Sequence, residues 1–167
     1  MTDMVEAPSG GVWKLLAPVR RAEGWLVAIP AALPLLALRL ALAVPVYKSG
    51  LTKWGGFLQL SGGAQDLFGQ EFKLHIFGAQ YPYPFPTASA YAAGIAEIVL
   101  PILLVLGLGT RFAALALLAM TAVIQITVPE GWANFHLPWA AMALTLAVFG
   151  GGALSLDRLL GLRREKA

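Results

Sequence analysis

This sequence predicts an all-α fold: an integral membrane four-helix bundle with a long outer loop containing a short interfacial helix. Three observations carry that expectation. Of 167 residues, 58% are hydrophobic and only 13% are charged, whereas soluble domains average about 45–50% apolar and 25% charged. The apolar residues form continuous runs instead of alternating with period two, which favours helices over a transmembrane barrel. The charges gather beside those runs rather than within them.

Crossing a bilayer takes ~20 apolar residues, and four stretches approach that length. The first is 25–46 (WLVAIPAALPLLALRLALAVPV) and the second 88–108 (ASAYAAGIAEIVLPILLVLGL). The third, 111–128, follows the Gly107–Gly109 turn and is expected to pack back on the second as a tight hairpin. The fourth, 135–153, ends in a glycine run before Ser155 and Asp157. Residues 1–24 are then an N-terminal segment, 25–154 the transmembrane domain and 155–167 a basic tail. Orientation follows from Lys and Arg near the ends of the spans. One side holds Lys14, Arg20, Arg21, Arg111, Arg158, Arg163, Arg164 and Lys166, and the other Lys48, Lys53 and Lys73. Both termini are expected on the cytoplasmic side of a bacterial inner membrane, with loops 47–87 and 129–134 outside. The first run is longer than a signal-peptide core and contains Arg39, so it reads as a span and not a cleaved leader.

Arg39 and Glu97 are the only charges inside the first two spans. An ionised group near the middle of a bilayer costs roughly 2.5–3.5 kcal/mol on insertion scales and marks a functional site by default. With span ends at Val46 and Ala88, Arg39 lies about 10 Å and Glu97 about 13 Å below the outer boundary at 1.5 Å per residue. The two are therefore expected to meet, either as a clasp between helices or as part of a polar cavity. Gln125, His136 and Lys48 fall at the same end. The inner half of the spans carries little polarity beyond small hydroxyls.

The outer loop is punctuated by glycines. Between Gly63 and Gly78, Phe68, Phe72 and Ile76 recur at helical spacing, which reads as a short amphipathic helix at the interface. The alternation Phe72, Leu74, Ile76 keeps a strand open. Prolines at every second place in Tyr81-Pro82-Tyr83-Pro84-Phe85-Pro86 favour extended backbone. This run serves either as an aromatic belt at headgroup level or as a lid over the polar end, with Trp54, Trp132 and Trp139 nearby.

Several chemistries are excluded. There is no cysteine, hence no disulfide, thiolate metal site, iron–sulfur ligation or thioether-linked haem. With only two histidines, no metal site is expected, and no cofactor is covalently bound. The basic residues flank apolar segments without forming a stripe, so nucleic acid is not an expected partner. No nucleophile elbow, phosphate loop or zinc motif is present. The expected partners are the lipid bilayer and a membrane or periplasmic protein.

From about Leu33 to Leu160 the chain resembles the DoxX family of small four-helix bacterial membrane proteins. The resemblance rests on Arg39, on Tyr47–Lys53 (YKSGLTK) and on Ala96–Pro101 (AEIVLP). It continues through Leu106–Ala114 (LGLGTRFAA), His136–Trp139 (HLPW) and Gly151–Asp157 (GGALSLD). It implies association with thiosulfate:quinone oxidoreduction or with redox-stress complexes in the membrane. Arg39, Lys53, Glu97, Arg111 and His136 are the family-like polar positions. A redox-associated accessory subunit with a quinone site is one reading. Such a site needs an apolar slot with groups that bond the carbonyl oxygens, here Arg39, Glu97 and His136 with Tyr91 or Trp139 as aromatic lining. A non-catalytic scaffold or assembly partner in a stress or metal-handling system is the alternative. A stand-alone transporter is disfavoured, because the chain shows no inverted repeat and no pair of broken helices.

Overall fold

The computed structural model describes residues 16–161. Lys14 and the tail charges Arg163, Arg164, Glu165 and Lys166 lie outside the described residues. The chain divides into two units, residues 1–31 and 32–167. The first holds helix α1 (Ala17–Val27), which opens on Pro18 and has no buried residue. Backbone bonds from Ala28 N to Gly24 O and from Ile29 N to Leu26 O close it.

Helix α2 (Ala32–Thr52) starts the second unit. The first span was expected at 25–46, so the observed helix begins seven residues later and ends six residues later. Pro30 accounts for the start: it has no N–H to donate and biases Ile29 away from the α region, so the chain breaks before Ala32. At the other end Lys48 sits on the exposed face of the helix. A lysine there keeps its ammonium in a polar environment while its stem lies along apolar surface, so it does not end the helix.

Helix α4 (Pro86–Leu106) and helix α5 (Thr110–Thr127) lie within two residues of expectation. Gly107 and Gly109, both at positive φ, make the turn between them. Helices α2, α4 and α5 are long and apolar enough to cross a membrane. Helix α6 (Leu137–Phe149) has 13 residues, extended at its start by a wider π turn, Trp132–His136. It packs mainly on α5 and also on α2.

Each helix buries one stripe. In α2 it is Arg39, Leu42, Ala43, Val46 and Gly50, and in α4 Ala90, Gly94, Glu97, Pro101 and Leu104. Leu42, Leu104, Leu117 and Leu146 meet in the centre. The outward faces remain apolar: Leu40, Val44, Val99, Val105, Leu115 and Leu144 are all exposed. So much contiguous apolar surface suits lipid and not water. The chain is a multi-pass membrane protein.

Within the Gly63–Gly78 stretch read as an interfacial helix, helical turns run only to Glu71 and a strand follows at Lys73–Ile76, so the fold is not purely helical. Two antiparallel hairpins, β1–β2 (Trp54–Gly56 with Gln59–Leu60) and β3–β4 (Lys73–Ile76 with Ala79–Pro82), flank a short helix. That helix, α3 (Gly62–Asp66), is capped by the Ser61 hydroxyl, which accepts from Ala64 N, and passes into a π turn, Leu67–Glu71. Phe68 is buried with Leu60 and Ala90 and makes edge-on contacts with Phe72 and Tyr83 at 5.2 and 5.3 Å. Its apolar face is thus spent on α4. The alternation Phe72, Leu74, Ile76 goes with the strand.

After α6, residues Gly150–Ser155 turn back and a one-turn helix, α7 (Leu156–Leu159), follows.

Candidate functional site

The register between α2 and α4 decides which charges meet. The two helices cross at Gly50, where a Cβ would lie 2.9 Å from the backbone carbon, backbone oxygen and Cβ of Glu97. Glu97 is therefore level with Gly50, and Lys53 lies one turn further on. Its Nζ reaches Glu97 Oε2 at 2.6 Å and Ser49 Oγ at 3.3 Å. The pair is largely buried, with 12% and 7% of the two side chains exposed.

The expected Arg39–Glu97 contact is absent. Arg39 lies eleven residues from Gly50, about 16 Å along the axis at 1.5 Å per residue. It is fully buried at the opposite end of the helices. There Nη2 donates to Leu154 O at 2.5 Å, and a side chain at Gly107 would collide with Nη1. The six-residue extension of α2 slides Arg39 away from Glu97. It also removes the expected polar asymmetry, because each end of the helices carries its own polar cluster.

Beside the Lys53–Glu97 pair opens a cavity of about 760 Å³. Its walls are mostly small or apolar: Ala92, Ala93, Ala96 and Leu100 from α4, and Ala116, Met120, Val123 and Ile124 from α5. Pro45 and Ser49 border it from α2, and Phe68, Phe72 and Tyr83 from the loop. Tyr83 thus takes the lid position. Its hydroxyl lies 2.6 Å from Thr127 Oγ1, which itself donates to Val123 O. Tyr81 and Phe85, by contrast, are exposed.

His136 and Trp139 line the side beyond α5. His136 is buried, its Nδ1 lies 2.7 Å from Gln125 Oε1, and its ring centroid is 5.8 Å from that of Trp139. Gly131 makes this placement possible, since a Cβ there would sit 2.5 Å from the ring carbon Cε1. His136 belongs to the turn before α6, outside the three long helices.

Of the residues expected in a polar site, Glu97, Lys53, His136, Gln125 and Trp139 gather around this cavity, Gln125 through its bond to His136. Three do not. Arg39 is at the other end, and Lys48 is exposed beside a separate apolar groove with Tyr47 and Pro101. Tyr91 packs on Trp54 at 5.9 Å and donates to Leu58 O. Ser49, Tyr83, Thr127 and Phe135 are cavity residues that periodicity does not reveal. The aromatic-proline run was the only signal for Tyr83. Among the described residues, no group of three or more His, Asp or Glu side chains is placed to hold a metal ion.

The family model for DoxX matches residues 34–130. The chain belongs to the DoxX family. The match in this DoxX protein runs from α2 through the loop to the end of α5, taking in Lys53, Glu97 and Gln125, while His136 and Trp139 lie beyond it. An uncharacterized protein of Haemophilus influenzae is 32% identical over 138 residues, 75% of this chain and 82% of that relative. No solved structure matches the chain. Two segments that carry the family resemblance meet at the Arg39 end. The Asp157 carboxylate accepts from Gly109 N at 2.7 Å and Thr110 N at 2.9 Å, capping α5, and Asp157 N donates to Gly107 O. Arg111 donates to the carbonyls of Ala147 and Val148 at the end of α6. These contacts tie turns together and read as a structural lock.

Proposed function

We propose that this DoxX protein is an accessory subunit of a membrane redox system in the bacterial inner membrane, and that its cavity binds a quinone or a similar small amphiphile. The observation that carries the reading is a largely apolar cavity of about 760 Å³ with two polar pairs, Lys53–Glu97 and Gln125–His136, at its walls. Ligand pockets are typically 300–1,000 Å³ and apolar, with a few fixed polar groups. A quinone ring offers two carbonyl oxygens to such groups, and its isoprenoid tail can leave between apolar helices. The chain supplies binding and orientation, while the redox chemistry belongs to the quinone and to a partner protein.

In this reading α6 with its leading π turn is the fourth crossing segment, and both termini are cytoplasmic. The charge distribution of the second unit supports that orientation: Arg111 and Arg158 lie at one end of the long helices, against Lys53 and Lys73 in the loop. The cavity would then open at the outer half of the membrane.

The test is equilibrium binding of decylubiquinone to the purified protein, followed by quenching of tryptophan emission. The reading expects saturable binding that Glu97→Gln weakens at least several-fold. No saturable binding, or binding indifferent to Glu97→Gln, would remove it.

A scaffold role is the second reading, favoured by the hairpin tips. Phe57 and Phe77 project from the two turns almost fully exposed, 92% and 105%. A protein partner would cover them. Co-purification of a partner that is lost in Phe57→Ser/Phe77→Ser would support this role.

A further inference from the structure

The hydrogen-bond polarity of the cavity can be worked out from Gln125, and it specifies which oxidation state of the ligand fits. Gln125 Nε2 lies 3.2 Å from Pro129 O, and Oε1 lies 2.7 Å from His136 Nδ1. A backbone carbonyl can only accept, so the amide NH2 must face Pro129. The amide oxygen, which also only accepts, therefore faces the imidazole, and Nδ1 must carry a proton. A neutral imidazole has a single N–H, so Nε2 is left as an unprotonated acceptor. It takes no hydrogen bond from any described residue. The ring is held in place between the bare α-carbon of Gly131 and the Trp139 ring. Across the cavity the polarity is reversed. The Lys53 ammonium has three N–H bonds, of which two go to Glu97 and Ser49.

We infer that the cavity selects a reduced, hydroxyl-bearing ring such as a quinol over the oxidised quinone, because of the two only the quinol can donate to the acceptor His136 Nε2. This rests on the reading of the cavity as a ligand site and adds its polarity. The hydroxyl of a quinol donates to His136 Nε2, and its second oxygen accepts the remaining N–H of Lys53. The oxidised ring has two acceptors and no donor, so it would cover Nε2 without satisfying it. Leaving one buried acceptor unsatisfied costs affinity by about tenfold. Gln125 acts as a positioning residue, since it holds the tautomer and need not touch the ligand.

The experiment compares decylubiquinol and decylubiquinone, with oxygen excluded, on the purified full-length protein and two variants. Wild type is expected to bind the quinol about tenfold more tightly than the quinone. Gln125→Leu frees Nδ1, lets the imidazole take either tautomer, and is expected to reduce that ratio to near one. Gln125→Glu puts a carboxylate beside Nδ1, which favours the doubly protonated imidazole and makes Nε2 a donor, and is expected to shift the preference toward the quinone. Far-ultraviolet circular dichroism and gel filtration check that each variant is folded, and the wild-type ratio is informative without them. Equal binding of both forms by wild type, or a ratio that survives in Gln125→Leu, overturns the inference while leaving the ligand site standing. Binding of neither form overturns the ligand site itself, and the inference with it.

Discussion

Replacing Lys53 by methionine should damage the protein more than replacing Glu97 by glutamine, although the two residues form one ion pair. Removing one partner of a buried pair typically costs about 3–5 kcal/mol, because the other charge is left uncompensated. The two survivors here are not equivalent. Glu97 lies eleven residues inside α4, about 16 Å from its start, and its carboxylate cannot reach the helix end. Lys53 follows the last residue of α2 and has a four-carbon stem, so without Glu97 it can turn its ammonium outward and still keep Ser49. The loss should therefore be about 4–5 kcal/mol for Lys53→Met and about 2–3 kcal/mol for Glu97→Gln, at the top and below the bottom of the usual range. In Lys53→Met/Glu97→Leu neither charge remains, and stability should return to within about 1 kcal/mol of wild type. The assay is reversible unfolding in mixed micelles, titrated with sodium dodecyl sulfate and followed by circular dichroism. Equal losses for the two single variants would refute the depth argument. A double variant as unstable as the sum of the singles would refute the pairing itself.

Three further outcomes follow from particular contacts. Asp157→Asn keeps the shape but weakens two charge-assisted bonds to the start of α5, and should lower stability by about 1–2 kcal/mol in the same assay. Gly94→Ala places a methyl 2.8 Å from the Trp54 ring and should cost about 1–3 kcal/mol, with a change in tryptophan emission that Gly63→Ala does not give. Tyr83→Phe removes the bond to Thr127 and should cost about 1 kcal/mol, while speeding ligand release measured by stopped flow.

Much of the fold is legible in the chain. Helices α4 and α5 could be placed within two residues because their apolar runs are bounded by Pro86 and by the Gly107–Gly109 turn. Of the residues expected in the polar cluster, Lys53, Glu97, Gln125, His136 and Trp139 lie together, Arg39, Lys48 and Tyr91 do not, and Glu97 pairs with Lys53 instead of Arg39. Hydropathy alone sees 25–46 as one run, since Pro30 interrupts the backbone without lowering apolarity, and Lys48 looks like a boundary although it lies on an exposed face. Moving the end of α2 from Val46 to Thr52 changes Glu97's partner from Arg39 to Lys53. Gly50 carried the missing information: it is the point where α2 and α4 approach backbone to backbone, and it fixes the register. The capping of α5 by Asp157 joins residues 48 positions apart, a separation that no periodicity reports. The loop was ambiguous for a different reason. Phe68, Phe72 and Ile76 satisfy helical spacing, while Phe72, Leu74 and Ile76 satisfy strand alternation, and pairing with Ala79–Pro82 decides between them.

Photolabelling of the purified protein with an azido-quinone, mapped by mass spectrometry with and without excess decylubiquinone, shows directly whether a quinone occupies the cavity. Label is expected on α4 and α5 around Ala93, Ala96, Met120 and Ile124, and on Phe135 beside His136, all of it displaced by the competitor. Label confined to the outward groove of Tyr47, Pro101 and Val105, or spread over exposed faces and indifferent to the competitor, would contradict that occupancy.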